Sequence, residues 1–390
     1  MQSPDTIPCI SAELIAEATS WRQHLHRNPE LAFNERQTSE FVAERLTRFG
    51  LNVHRGLAGT GVVGTLTRGT SRRSLGIRAD MDALPIPEQS GTTYVSSIPG
   101  IMHACGHDGH TAIALAAARI CSTLPDLDGT VHFIFQPAEE NEGGGRRMVE
   151  EGLFGLHPCD AVYALHNWPA LPVGTAVARN GSMMAAFAVF EITISGRGCH
   201  GAMPHEGTDA IIPAAQLVSA LQTIVSRNVD PLRSAVVSVT QIRAGDAWNA
   251  TPDDCIIRGT TRWYEDAIGD ELEERLTRLA NSTAEAYGCR AQIWYDRRFP
   301  ATVNDPASVQ SLRDAARKLP LTFADVPPSM GSEDFAYMAQ AVPACYVWLG
   351  AARSGDNPGL HSPRYDFNDQ VLPFGIALWV SLVRHVLLRT

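Results

Sequence analysis

The stretch MHACGHDGHT, residues 102–111, constrains the chain more than any other. It places one thiol and three imidazoles (His103, Cys105, His107, His110) within eight residues, with Asp108 among them. Cys105 and His107, two apart, can face one ion from a tight turn. A thiolate with a neutral imidazole suits zinc, manganese, cobalt or nickel better than calcium or magnesium. A lone histidine or cysteine is usually a packed residue, but four such groups this close together read as a metal site. TAIALAAARICSTL, residues 111–124, follows as an Ala-rich helix buried on one face. The ligand-rich turn therefore lies at a helix N-terminus, where the dipole favours a thiolate and carboxylates.

Other apolar runs end in the same kind of chemistry. SLGIRADMDALP closes on Asp80 and Asp82, two apart on a strand end and so on one face. TVHFIFQPAEE is a buried strand stopped by Pro137 that delivers Glu139 and Glu140. DAVYALHNWP is an apolar strand with His166 at its C-terminal end. Open α/β sheets place their sites there, just past the strands' carboxyl ends.

The intervening segments are helical. Residues 11–27 have helical apolar spacing and stop at Asn28-Pro29, residues 34–50 form an amphipathic helix ended by Gly50, and NEGGGRRMVEEGLF is a Gly-rich turn and a helix. The alternation predicts an α/β fold with a doubly wound, mostly parallel sheet. Around Asn180 the character changes, and the order becomes β-α-β-β-α-β, a ferredoxin-like split unit. The expected organisation is a metal-binding catalytic domain over 1–180 and 298–390, with an inserted domain over 181–297. An apolar helix, ALWVSLVRHVLL, ends the chain.

At 390 residues two domains are expected, and the net charge of −10 argues against nucleic acid as a partner. The Arg72-Arg73 and Arg146-Arg147 pairs read as solvated faces. The start lacks a basic segment followed by an apolar one, and no apolar run approaches a membrane span. Eight scattered cysteines offer no disulfide framework. A cytoplasmic location, with no membrane partner, is the expectation. Apart from Cys105, the cysteines read as core thiols or helix-face residues.

Glu139 and Glu140 point in different directions from a strand end, so one can hold a metal while the other acts as general base. Asp80 and Asp82 can be ligands, or can orient a ligand histidine.

WRQHLHRNPELAFNE, IRADMDALP, MHACGHDGH, FQPAEE, LHNWP, GCHGAMPH, GSEDF and GLHSPRYDFND together resemble, in order, the motifs of the M20 metallopeptidase superfamily. The resemblance is to its amidohydrolase branch of hippurate hydrolases, N-acyl-amino-acid aminoacylases and auxin-conjugate hydrolases. It implies that Cys105, His107, Glu140, His166 and His361 hold two divalent ions, with manganese favoured and zinc, nickel or cobalt compatible. It makes Glu139 the general base. Asp82 matches the aspartate of the superfamily's HxD motif, while Asp80 stands where that motif has histidine and is left out of the ligand set.

The resemblance also makes the inserted domain a lid and dimerisation domain, in a homodimer or homotetramer. It gives His200 the developing oxyanion, in its own or the partner subunit's site, and gives Asn249 and Arg262 the substrate carboxylate and oxyanion. An Arg fork suits a carboxylate and a His or Asn donor suits an oxyanion. The implied reaction is metal-dependent hydrolysis of a small N-acyl amino acid. A dipeptidase or carboxypeptidase of the same superfamily, and a non-catalytic metal-binding scaffold, are the competing readings; a scaffold has no need of Glu139. Residues 182–187 (SMMAAF), Trp168, Trp248 and Phe335 offer apolar lining for an acyl pocket without selecting the acyl group.

Overall fold

The structure is a computed structural model that describes residues 10–140 and 142–388. Residues 1–9, with Cys9 and most of the stretch read for a leader, lie outside the described residues. The chain divides into two compact units. The first takes the described residues up to Met183, Thr302–Pro327, and those from Asp334 onward; the second is Met184–Ala301 with Pro328–Glu333. The expected insert, 181–297, thus starts three residues ahead of the second unit and stops four short of its main run.

The first unit is built on an eight-stranded sheet in the order Asn52–Leu57, Gly61–Arg68, Gly129–Gln136, Ser74–Asp80, Ala161–Trp168, Ala344–Gly350, Thr175–Val177, Thr322–Phe323. Its central strands run parallel. Antiparallel pairs come from the hairpin at one edge, including its join to the next strand, and from Thr175–Val177. The edge strand Asn52–Leu57 carries no clear apolar alternation and was not expected; it is mostly solvent-facing. In the centre, Asp80 pairs with Gln136. That register puts the Asp80–Asp82 strand end beside the Glu139–Glu140 strand end.

The helix His107–Ser122 corrects the one-face expectation. Almost every residue from His107 to Ala118 is buried, because the helix packs against both Ala12–Arg27 and Leu372–Leu387. Its alanines admit these close neighbours, while Ile113 and Leu115 fill the core, each contributing about 1.5–3 kcal/mol by burial. Ser11 caps the helix Ala12–Arg27 by accepting from Leu14 N at 3.2 Å, and the helix ends at Asn28, before Pro29. By length and composition alone, Asp369–Leu387 could cross a membrane, contrary to expectation. Its residues from Leu372 to Leu387 are largely core, so it reads as a buried helix.

The second unit has the chain order strand Ala186–Ser195, helix Ile211–Arg227, strands Ala235–Arg243 and Asp254–Trp263, helix Asp266–Ala286, strand Arg290–Phe299. The four strands form one antiparallel sheet in which Ala186–Ser195 lies between Asp254–Trp263 and Arg290–Phe299, and Ala235–Arg243 is an edge. Ala186, Ala188, Phe190, Ile192 and Ile194 alternate into a core shared with Leu217, Leu221, Leu272 and Leu276 from the two helices.

A buried ionic network ties the first helix to two distant loops. Arg22, fully buried, donates to both carboxylate oxygens of Asp369 at 2.8 and 2.9 Å and to Asp366 at 3.1 Å, and lies 3.7 Å from Asp108. His26 donates to Asp108 at 2.9 Å and to Glu88 at 3.1 Å. Burial alone would lower the His26 pKa, but the hydrogen bonds to Asp108 and Glu88 and the charge of Asp108 outweigh it and raise it to about 9.

A pKa raised on folding stabilises the protein fully below the unfolded value near 6.5, and the contribution is lost as pH rises through about 9. The urea midpoint of the wild type should therefore fall between pH 6.5 and 9 by an amount corresponding to roughly 2–3 kcal/mol, and His26→Gln should flatten that fall. Equal pH slopes for the two proteins would refute the assignment.

Candidate metal centre

Five side chains expected as ligands converge at the carboxyl ends of the central strands. Cys105, His107 and His166 present donor atoms within 4.8 Å of one another, as do Cys105, Glu140 and His361, and also His107, Glu139 and Glu140. Cys105 Sγ lies 3.3 Å from His166 Nε2, and His361 Nε2 lies 3.2 Å from Glu140 Oε1. The clusters overlap, and Cys105 is common to two of them.

The histidine tautomers follow from their partners. His107 Nδ1 donates to the carbonyl of Asp82 at 2.9 Å, so Nε2 is the nitrogen turned toward the other donor atoms. That Nε2 is buried without a hydrogen-bond partner, and Glu140 Oε1 is buried with the His361 imidazole 3.2 Å away and no hydrogen bond. His166 Nδ1 donates to the carbonyl of Asn167 at 2.7 Å, so its Nε2 faces Cys105 as a lone pair. Orphaned buried acceptors of this kind are costly unless a cation takes them, and sulfur, imidazole and carboxylate donors together suit a divalent transition metal. The residues present therefore fit divalent ions.

The electrostatics agree. Burial first, then the carboxylates of Glu140, Glu139 and Asp80, push the Cys105 thiol well above its ordinary range. Burial lowers the His107 pKa, yet Asp80 and Asp82 outweigh it and raise it to about 10. Burial, followed by His110, depresses His166. Acids, a thiol and imidazoles crowded together in this way call for positive charge at their centre, which inverts the local pKa order when it arrives.

Asp82 lies beside two of the expected ligands. Its Oδ1 lies 3.3 Å from His107 Nδ1, and its Oδ2 accepts from the Glu140 backbone N–H at 2.9 Å. Asp80 is held between Arg78 at 2.8 Å and His110 Nδ1 at 2.7 Å. His110 Nε2 in turn accepts from the backbone and the amide of Asn167, both at 3.0 Å, so no lone pair of that ring is left over. Of the groups in the sequence cluster, His103 is buried with both nitrogens unpartnered, and burial pushes its pKa down to about 4.

Residues that sequence reasoning assigned no role hold this turn in place. Asn167 Nδ2 donates to the carbonyl of Cys105 at 2.7 Å, and Tyr365 O–H donates to Asn167 Oδ1 at 2.5 Å. Both pack on Gly106, which sits at φ +91°; a Cβ there would meet Asn167 Nδ2 at 2.4 Å. One turn on, a Cβ at Gly109 would meet the Phe367 ring at 2.3 Å. Asn167 and Tyr365 lie inside quoted motifs, but residue type alone does not reveal a hydrogen bond across 198 positions. His361 itself is held at φ +64°, with its N–H donated to the carbonyl of Ala104 at 2.8 Å.

The three remaining expected residues are in the second unit. The exposed His200 pairs with Ala250 in a short ladder, which brings it beside Asn249. Half-buried Arg262 lies across the strand from Phe187, its guanidinium carbon 3.9 Å above that ring. No carboxylate pairs with Arg262 among the described residues, its Nε is buried without a partner, and burial lowers its pKa to about 10. Of the expected acyl-pocket lining, Phe335 is buried in the core, Trp248 is fully exposed, and Trp168 stacks on Trp348 at 4.0 Å.

A mostly parallel sheet at whose strand ends a thiol, imidazoles and carboxylates gather offers a site for divalent metal ions. The chain belongs to peptidase family M20/M25/M40, whose model matches residues 76–385, and it is a hydrolase acting on amide bonds. It is 39% identical over 352 residues to the N-acetyl-L-cysteine deacetylase of Bacillus subtilis (strain 168), covering 90% of this chain and 83% of that protein. It is 36% identical to the hippurate hydrolase of Campylobacter jejuni, covering 95% and 96%. An IAA-amino acid hydrolase of Arabidopsis thaliana is also 36% identical, with 94% and 85% covered. Among solved structures, a Bacillus subtilis dinuclear metal-binding peptidase from the M20 family superposes with a TM-score of 0.85 at 32% identity, covering 97% and 99%.

The geometry gives a direct check on Cys105. Cys105→Ser should lower metal affinity by about tenfold or more, since a soft thiolate is exchanged for a hard, protonated hydroxyl. Metal analysis after dialysis against a weak chelator reads this out, and full occupancy would remove the thiol from the ligand set.

Proposed function

We propose that the chain is an N-acyl amino acid amidohydrolase that splits the amide of a hippurate-like, N-acetyl or indoleacetyl conjugate into a carboxylic acid and a free amino acid. The observation that carries the reading is the buried Glu139 carboxylate, set within 4.8 Å of the Glu140 and His107 donor atoms. A site built only to hold metal needs no acid in that position. The family membership and the relatives' activities support the same substrate class.

In this reading Cys105, His107, Glu140, His166 and His361 hold two divalent ions, manganese first, with zinc, nickel or cobalt compatible. When bound, such ions polarise the amide carbonyl and acidify water. Glu139 accepts a proton from the attacking water on its carboxylate and hands it to the nitrogen of the leaving amine. Asp82 keeps His107 in the tautomer that offers Nε2. His200 donates to the developing oxyanion, in its own or the partner subunit's site. Asn249 and Arg262 receive the substrate carboxylate or oxyanion, and the absence of a carboxylate partner for Arg262 among the described residues supports that role.

We also propose that the second unit is a ferredoxin-like lid and dimerisation domain, in a homodimer or homotetramer. Its edge strand Ala235–Arg243 pairs on one side only, and Leu232, Ile242 and Trp248 are exposed near it. A cytoplasmic location is proposed from the seven free cysteines among the described residues.

Three outcomes test these proposals. Glu139→Gln should lose about 10³-fold or more in kcat with metal content near wild type, whereas Glu140→Gln should lose metal; full activity in both would overturn the mechanism. A panel of hippurate, N-acetyl amino acids, indole-3-acetyl amino acids and plain dipeptides should show metal-dependent amine release from the N-acyl compounds. Preference for dipeptides would move the assignment to a peptidase. Ile242→Lys should shift the assembly to monomers by light scattering, and an unchanged mass would refute the edge-strand interface.

A further inference from the structure

Glu35 is a buried acid without a counter-ion. Its side chain is fully buried, and among the described residues no lysine, arginine or histidine pairs with it. Such a group is expensive to keep inside a protein. It stands at the N-cap position of the helix Arg36–Arg48, yet its side chain makes no capping hydrogen bond. Capping falls instead to Glu30, whose two oxygens accept from Gln37 N at 3.1 Å and Thr38 N at 2.9 Å. The Glu35 carboxyl therefore does something other than start its helix.

It reaches across 103 positions to the loop that carries Glu139 and Glu140. Oε1 accepts from the backbone N–H of Ala138 at 2.9 Å and of Phe33 at 3.0 Å, while Oε2 accepts from the Thr60 hydroxyl at 2.6 Å. Ala138 is one of four non-glycine residues among those described with positive φ, at +55°. A residue with a Cβ holds that conformation only where its surroundings impose it. Both backbone groups of Ala138 are spoken for, the N–H by Glu35 and the carbonyl by Gly144 N at 2.9 Å. Two residues later, Asp82 takes the N–H of Glu140. Glu139 lies between these anchors, so its direction depends on both of them.

We infer that Glu35 is a positioning residue for this reaction, one that locks Ala138 in its left-handed conformation and so aims Glu139. The inference rests on the roles proposed above for Glu139 and Glu140. Burial first, helped by the charge of Asp82, raises the Glu35 carboxyl to about 7, while Thr60 and the backbone donors pull it down. The clamp works by accepting hydrogen bonds, and an amide oxygen can accept them equally well.

The test compares metal-loaded Glu35→Gln, Glu35→Ala, Thr60→Val and Glu139→Gln on the best N-acyl substrate. Readouts are kcat, KM, metal content and thermal midpoint. Glu35→Gln should stay within about threefold of wild type, because its oxygen serves Ala138 and Phe33 and its NH2 serves Thr60. Glu35→Ala should lose about 10²-fold in kcat, the cost of a misaimed base, with KM little changed and metal retained because Asp82 still holds Glu140. If Glu35→Ala does not fold, Thr60→Val decides: a kcat loss of about threefold or more at constant KM supports the clamp, and a wild-type kcat overturns it. Wild-type kcat in Glu35→Ala, or equal losses in the Gln and Ala variants, would also overturn it. An active Glu139→Gln would bring down the underlying reading, whereas an inactive one beside a fully active Glu35→Ala would bring down this inference alone.

Discussion

Asp82 joins the two halves of the candidate metal centre. Its carbonyl and Oδ1 face His107 Nδ1, and its Oδ2 takes the backbone N–H of Glu140. One residue thereby fixes the ring of a histidine at a helix N-terminus and a backbone direction beyond the neighbouring strand end. It can do so because Asp80 pairs with Gln136, which sets the two strand ends level. A shift of one position in that register would turn Asp82 away from both partners. The N–H of Ala83, donated to the carbonyl of Glu30 at 2.8 Å, secures the same strand end from the amino-terminal side.

Around that tie the protein uses buried charge where apolar packing would serve stability as well. Arg78 bridges Asp80 and Asp334, and Asp334 accepts from Gln136 and from the backbone of Gly145. Arg22 joins Asp108, next to a candidate ligand, to Asp366 and Asp369 in the loop that follows His361. Loops that an apolar core would leave loosely placed are thus bound at defined atoms. The amino-terminal segment WRQHLHRNPELAFNE supplies Arg22, His26, Glu30 and Glu35 to this framework. Its polar residues support the site from outside it.

Much was legible in the sequence because composition and order carry it. Cysteine and histidine crowded into MHACGHDGHT, acids after an apolar strand in FQPAEE, and His166 closing another strand are chemistry visible in residue type. Helix and strand periods marked the α/β unit and the change near Asn180. The edge strand Asn52–Leu57 is not legible in the sequence, because its polar, outward-facing residues carry no period. For the helix His107–Ser122 the sequence pattern predicts burial on one face, since only its neighbours on both sides reveal that it is enclosed. Residue type makes Phe335 and Trp248 alike, yet one is core and the other surface.

The sequence by itself determined the kinds of atoms at the metal centre, the strand ends that carry them and the change from one unit to the next, because periodicity and side-chain chemistry are local. Tertiary structure decided which of those atoms meet. It turned His110 to Asp80 and Asn167, left His107 Nε2 bare, and set Asn167 and Tyr365 against Gly106. It also drew the Glu35 carboxyl into the core beside Ala138. These bonds join residues from 30 to 198 positions apart, a separation over which neither helical nor strand period carries information, so only the packed chain could choose them.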